Sequence, residues 1–161
     1  MLTPSELADR AEITQLLYRY ARAIDDVDLE SLERVFTPDA WIEYRTIGGR
    51  KGRFPEMVRW LGESLPIFKA TQHAISNPLI DLAGDRATST CTLRALHVQV
   101  EHDGREHRVI QYAAYHDEHR RTGSGWRIAK RVLETVYNDG HFLGPDRIQI
   151  FARAGRAEPR P

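Results

Sequence analysis

The sequence predicts an α+β fold in which three N-terminal helices pack on one side of a curved, mostly antiparallel sheet. Three observations carry that expectation. The first third of the chain is patterned for helices. From about Ala70 onward the chain runs in long β-branched and aromatic stretches. Short turn signals, one of them an Asp-Gly pair, separate those stretches. Helices first and strands afterwards give segregated layers rather than alternating βαβ units. A bent sheet wrapped by helices leaves a conical cavity, and ligand sites are typically concave and mostly apolar.

The first helix is announced by Thr3-Pro4-Ser5-Glu6: a capping hydroxyl, a proline at the first helical position and a glutamate completing a capping box. At 100° per residue Ile13, Leu16, Leu17, Tyr20, Ala21 and Ile24 fall on one face, with Glu12, Gln15, Arg19, Arg22 and Asp26 opposite. Asp25 sits at the border of the apolar stripe. A short second helix is expected to start with Asp28 as cap and run through Leu29, Leu32 and Val35, stopped by Phe36-Thr37-Pro38-Asp39. Ala40–Tyr44 reads as a short strand and Gly48–Gly52 as a loop. Met57, Val58, Trp60, Leu61 and Leu65 mark a third helix, closed by Pro66.

Thr71–Ile80, Arg86–Val100, His107–His119 and Trp126–Tyr137 are the expected strands. Ala83-Gly84-Asp85, Asp103-Gly104 and Thr122-Gly123-Ser124-Gly125 supply the turns between them. Residues 1–150 are expected to form one domain, with 151–161 a flexible tail.

Composition narrows the function. With 161 residues, of which 41% are hydrophobic, the chain has the size and content of one globular domain. Lys plus Arg and Asp plus Glu each number 23, which leaves no basic excess to hold nucleic acid or an anionic membrane. No apolar run approaches the ~20 residues of a membrane span, and Met1–Glu6 lacks the features of a signal peptide. A cytoplasmic location is therefore expected. Cys91 is the only cysteine, so an internal disulfide is excluded. The histidines at 97, 102, 107, 116 and 119 have no metal-ligand pattern, because residues three apart on a strand face opposite sides. No metal and no cofactor are expected.

Tyr18-Arg19-Tyr20-Ala21-Arg22-Ala23-Ile24-Asp25, then Phe36-Thr37-Pro38-Asp39-Ala40, Thr71-Gln72-His73 with Asn77, and Gly125-Trp126-Arg127-Ile128 with Arg131 occur in an order that resembles SnoaL-like proteins of the nuclear transport factor 2-like superfamily. The resemblance covers roughly Ala8 to Tyr137. It implies the cone-shaped fold and a homodimer. Its closest functional pattern is that of scytalone dehydratase, hexachlorocyclohexane dehydrochlorinase and bile-acid dehydratase, in which a late aspartate of the first helix pairs with a strand histidine. Asp25 and His73 stand at those two places. Arg131 matches a strand arginine of the dehydrochlorinase, whose lysine is replaced here by Tyr20. Ala95 stands where the bile-acid enzyme has a further aspartate.

The pair also makes chemical sense by itself. An imidazole, with an ordinary pKa near 6.5, takes and returns a proton at neutral pH, and a carboxylate on one ring nitrogen fixes its tautomer. His73 and Asp25 are thus the candidate catalytic residues, set against the plainer reading of a helix-end carboxylate and a buried, satisfied histidine. His73 is expected to share a strand face with Ile75 and Leu79. Tyr20, Tyr44 and Arg131 are candidate polar groups of the same cavity, and Trp41 is a candidate for its mouth. The expected function is a cofactor-independent lyase, dehydratase-like, acting on a hydrophobic ring-containing small molecule. A related isomerase or polyketide cyclase is one alternative. A non-catalytic small-molecule binder or dioxygenase-small-subunit-like structural protein is the other. The homodimer is expected to form through the outer sheet face carrying Thr88, Thr90, Thr92, Arg94, Leu96, Val98 and Val100, with Cys91, Leu93 and Ala95 facing inward.

Overall fold

The computed structural model describes residues 1–151; of the expected tail only Phe151 lies within them. Helix α1 (Pro4–Asp25) opens with the expected capping box, in which Glu6 N–H donates to Thr3 Oγ1 at 3.2 Å and Thr3 N–H to Glu6 Oε2 at 2.7 Å. A tight turn (Glu30–Arg34) leads into strand β1 (Phe36–Glu43), followed by β2 (Lys51–Arg53), helix α2 (Phe54–Ser64) and the four long strands β3 (Ala70–Ala83), β4 (Arg86–Val100), β5 (Glu106–Thr122) and β6 (Gly125–Asp139). The strands form one mixed sheet in the order β2-β1-β6-β5-β4-β3. Only the β1–β6 pairing is parallel; the other four are antiparallel.

The expected second helix is a single 3₁₀ turn, which changes the helix count without changing the architecture. Its N-cap is Leu29 rather than the expected Asp28, which stands one residue earlier and accepts from Ser31 N–H at 3.2 Å. The segment is too short to repay helix nucleation. Phe36-Thr37-Pro38 is extended and belongs to the sheet, as the residue before a proline prefers. Pro38 has no N–H to give, and the register of β1 on β6 shifts between Phe36 and Trp41.

Inward residues of β4 alternate cleanly: Ala87, Ser89, Cys91, Leu93, Ala95 and His97 are buried, while Thr88, Thr90, Thr92 and Arg94 are exposed. Val98 and Val100, expected on the open outer face, are buried instead. The last part of β4 is covered by the segment that follows β6. The chain leaves β6 at Gly140 (φ +93°), where an added Cβ would meet Arg108 O at 2.9 Å. Gln99 then clasps Leu143 through both its amide groups, Gln149 N–H donates to Val100 O, and Phe151 N–H donates to Pro66 O at 2.8 Å.

A bulge re-phases β3. Asn77 has φ +51° and the pairing with β4 shifts between Ser76 and Leu79. One extra residue flips the faces of everything beyond it. Leu79, expected beside His73, is 73% exposed, and Ile80 is the buried residue.

The core between α1, α2 and the sheet contains an ion pair. Arg131 donates from Nε to Asp117 Oδ1 at 2.8 Å and from Nη2 to Oδ2 at 2.6 Å, with neither side chain exposed. Its guanidinium carbon lies 4.0 Å from the Tyr115 ring centroid and 4.2 Å from that of Tyr20, with Phe36 at 5.7 Å. Planar, weakly hydrated guanidinium suits such a sandwich. Burial disfavours the charged form, but the Asp117 carboxylate outweighs it and Arg131 stays firmly protonated. Breaking one half of such a pair strands a buried charge. Asp117→Asn should therefore destabilise the fold by about 3–5 kcal/mol in urea denaturation, whereas replacing both partners by apolar residues of similar volume should cost much less.

Candidate active site

The last turn of α1 sets the site. Val27 N–H donates to Ile24 O and Asp28 N–H to Ala23 O, ending the helix, and Val27 adopts φ +53°, an unfavourable value for a β-branched residue. Asp25, the final helical residue, thereby lies against β3. Its Oδ1 bonds His73 Nδ1 at 2.7 Å and accepts from Thr71 Oγ1 at 3.1 Å; its Oδ2 accepts from His73 N–H at 2.8 Å. Thr71 and His73 are two apart on β3 and share a face, so one carboxylate reaches both.

Burial alone would raise the Asp25 pKa, but hydrogen bonds from His73 and Thr71 hold it below the usual carboxylate range. An ionised carboxylate only accepts, so the proton on the shared bond belongs to His73 Nδ1. His73 Nε2 keeps its lone pair and is the ring atom able to take a proton. Both side chains are only 8% exposed, yet they border an open recess of about 260 Å³ whose other walls are Tyr18, Ala21, Arg22 and Ile75.

His97 completes the surroundings. Its ring meets His73 edge-on at 5.5 Å and packs against Phe68 at 4.9 Å and Phe142 at 5.2 Å. Burial, aided by His73, pushes its pKa down to about 3, and its Nδ1 has no hydrogen-bond partner among the described residues. A neutral ring therefore backs the dyad. Cross-strand register places His97 opposite Thr71, something the linear sequence does not reveal.

The other candidates are placed differently. Tyr20 and Tyr44 are buried, and their hydroxyls bond each other at 2.7 Å within the aromatic cluster around Arg131. Neither they nor Arg131 borders the dyad recess. Tyr20 lies at the centre of the apolar stripe of α1, so it points into the packed core, whereas Asp25 at the stripe's border reaches the wall of the recess. Trp41 lies on the outward side of β1, with the Arg53 guanidinium 5.7 Å from its ring. The sequence reading missed Tyr18 and Arg22, which helical phasing assigns to solvent and which in fact form the rim.

The remaining histidines do not converge. His116 lies on the outer face between Thr90 and Glu134, and buried His119 bonds Ser89 at 2.8 Å. Among the described residues no group of three or more His, Cys, Asp or Glu side chains is arranged to hold a metal. On the last hairpin Arg121 pairs with Asp9 and Asp85, Arg120 with Asp39 and Lys130 with Glu118, while Arg127 donates to Trp126 O at 2.7 Å. Among the described residues no helix is long and apolar enough to cross a membrane.

The fold thus sets helices against a curved mixed sheet of six strands. The chain belongs to the SnoaL-like domain family, whose model matches residues 5–132. Uncharacterized protein Rv2910c of Mycobacterium tuberculosis is 39% identical over 132 residues, covering 82% of this chain and 88% of that protein. Among solved structures, the Kfla4162 protein of Kribbella flavida is similar with TM-score 0.76 and 31% identity, over 83% of this chain and 94% of that one. A candidate aromatic ring hydroxylase of Novosphingobium aromaticivorans gives TM-score 0.75 and 25% identity, over 86% and 96%. A candidate scytalone dehydratase of the same species gives TM-score 0.73 over 98% and 100%, but at 21% identity it shares the fold alone.

The buried histidines impose a pH dependence. An unfolded histidine takes up a proton as pH falls through about 6.5, while His97 resists until about 3 and His119 until about 4. The unfolded state then binds more protons, so stability is full above about pH 6.5 and declines as pH drops through that window. Urea denaturation between pH 4 and 7 should show the slope, and His97→Leu should flatten it.

Proposed function

We propose that this protein is a cofactor-independent lyase that eliminates a leaving group from a hydrophobic, ring-containing small molecule. His73 is its general base and Asp25 the carboxylate that orients it. One observation carries the reading: the 2.7 Å Asp25–His73 bond lies at the wall of an open recess, with Nε2 the free basic atom. In the reaction His73 Nε2 takes a proton from a carbon next to a carbonyl or aromatic ring, and the C–H electron pair becomes the new π bond. Asp25 stabilises the imidazolium formed. The departing hydroxyl takes a proton back from His73 and leaves as water, so no oxidant or reductant is needed. Tyr20, Tyr44 and Arg131 act from behind, as the rigid wall against which α1 is held. Isomerases and cyclases share the first proton transfer, so product analysis separates them from a dehydratase.

The test is turnover across a panel of hydroxylated polycyclic ketones, hydroxysteroids and polyketides. On any substrate found, His73→Ala should remove nearly all activity and Asp25→Asn about a hundredfold, each with unchanged far-ultraviolet circular dichroism. Full activity in both folded variants would reduce the pair to a structural contact and favour a binding protein.

The outer sheet face supports a homodimer. Arg94, Tyr112 and Tyr137 line up across β4, β5 and β6, with Tyr137 61% exposed and Tyr112 36%. Such an aromatic row is the kind of patch that marks a protein contact. Sedimentation should give a dimer at micromolar concentration, and Tyr137→Glu should weaken it.

A further inference from the structure

The dyad recess does not end at its rim. Tyr18 and Arg22 border both that recess and a larger one of about 630 Å³, which runs between the outer face of α1 and the turn Glu30–Arg34. Residues 15, 18, 19, 22, 23 and 26 of this groove are one face of the helix at its 3.6-residue period. The groove brings together three guanidinium groups, Arg19, Arg22 and Arg34, with two carboxylates, Asp26 and Asp28. The carboxylates are partly committed. Asp28 accepts from the Ser31 N–H and hydroxyl, and Asp26 faces Arg22 at 3.8 Å. Arg34 donates to Ser31 Oγ at 2.9 Å and keeps further N–H groups, while Arg19 has no ion-pair partner among the described residues.

We propose that this arginine groove binds an anionic substituent (carboxylate, sulfonate or phosphate) at the far end of the molecule whose ring occupies the dyad recess. The inference rests on the elimination reading for the ring's place beside His73, and it adds the charge of the substrate. Arg19 lies six residues before Asp25 on the same helix, so the anion site is about 9 Å from the dyad along the axis. That spacing fits a fused-ring skeleton carrying its acid at the opposite edge from the reacting carbon. The guanidinium fork matches planar or tetrahedral oxyanions through paired N–H donors, and the Arg22–Asp26 contact beside it is long, at 3.8 Å. Arg22 stands where the two recesses meet and gives the ring one flank and the anion another.

Two fluorescent probes of nearly the same shape test this: 6-(p-toluidino)-2-naphthalenesulfonate and uncharged N-phenyl-2-naphthylamine. The sulfonate should bind at least about tenfold more tightly. The Arg19→Gln/Arg34→Gln double variant, altered only at exposed positions, should lose about tenfold for the sulfonate and less than twofold for the neutral probe. The sulfonate should also shift the His73 ring signals in NMR spectra, which separates this site from the aromatic patch on the outer sheet face. Equal affinity for the two probes, or a sulfonate affinity insensitive to the arginines, would overturn the proposal. So would arginine-dependent binding that leaves His73 unmoved, because the groove would then be separate from the dyad. None of these readouts needs turnover. If His73→Ala abolishes catalysis while the sulfonate preference is missing, only the anion proposal falls; if the preference holds and no substrate is turned over, only the elimination does.

Discussion

At its C-terminal end, helix α1 is joined to the sheet by the carboxylate of Asp25. Asp25 ends α1, where the helix dipole disfavours negative charge, and it is buried, which disfavours it again. Three hydrogen bonds from β3 reverse that balance. The backbone N–H of His73 and the hydroxyl of Thr71 tie the helix end to the strand, and the imidazole completes the set. Packing and the proposed chemistry thus share one contact. The bonds that dock α1 also choose the tautomer of His73 and turn its basic nitrogen away from the carboxylate. A helix that slid by one turn would lose both together.

A second constraint divides the interior. The Arg131–Asp117 pair, sandwiched by Tyr20 and Tyr115, fills the part of the cone that an open cavity would otherwise occupy. Desolvating two ions is costly, and the bidentate geometry with two aromatic faces offsets it. Because charges and rings interlock there, α1 rests on a stiff floor. The accessible space is pushed to the helix end, beside Asp25, and along the outer helix face.

Much of this was legible in the sequence. The capping box at Thr3, the amphipathic stripe of α1 and the turn residues announced helix and hairpins because each is a local signal. Asp25 and His73 could be paired through the resemblance. Long-range register was not legible. The bulge at Asn77 changes which residues of β3 face inward, so Leu79 lies outside. Likewise the side of α1 that looks solvated by phasing carries Tyr18, Arg19 and Arg22, which border the two recesses. Helical periodicity separates apolar from polar positions; it does not say which polar face lines a groove. The neutral state of His97 depends on Phe68 and Phe142, which come from distant parts of the chain.

The parallel pairing of β1 with β6 has a consequence for biosynthesis. Phe36 aligns with Ile128, so the early strand has no permanent partner on that side until the last strand has been made. During translation α1 and β1 must wait with apolar surface uncovered while the hairpins of β3–β6 assemble behind them. Pro38 and Asp39, both exposed in the middle of β1, interrupt its hydrogen-bonding edge during that wait. The irregularity that breaks the register in the finished sheet thereby also protects the nascent chain from pairing with its neighbours on a polysome.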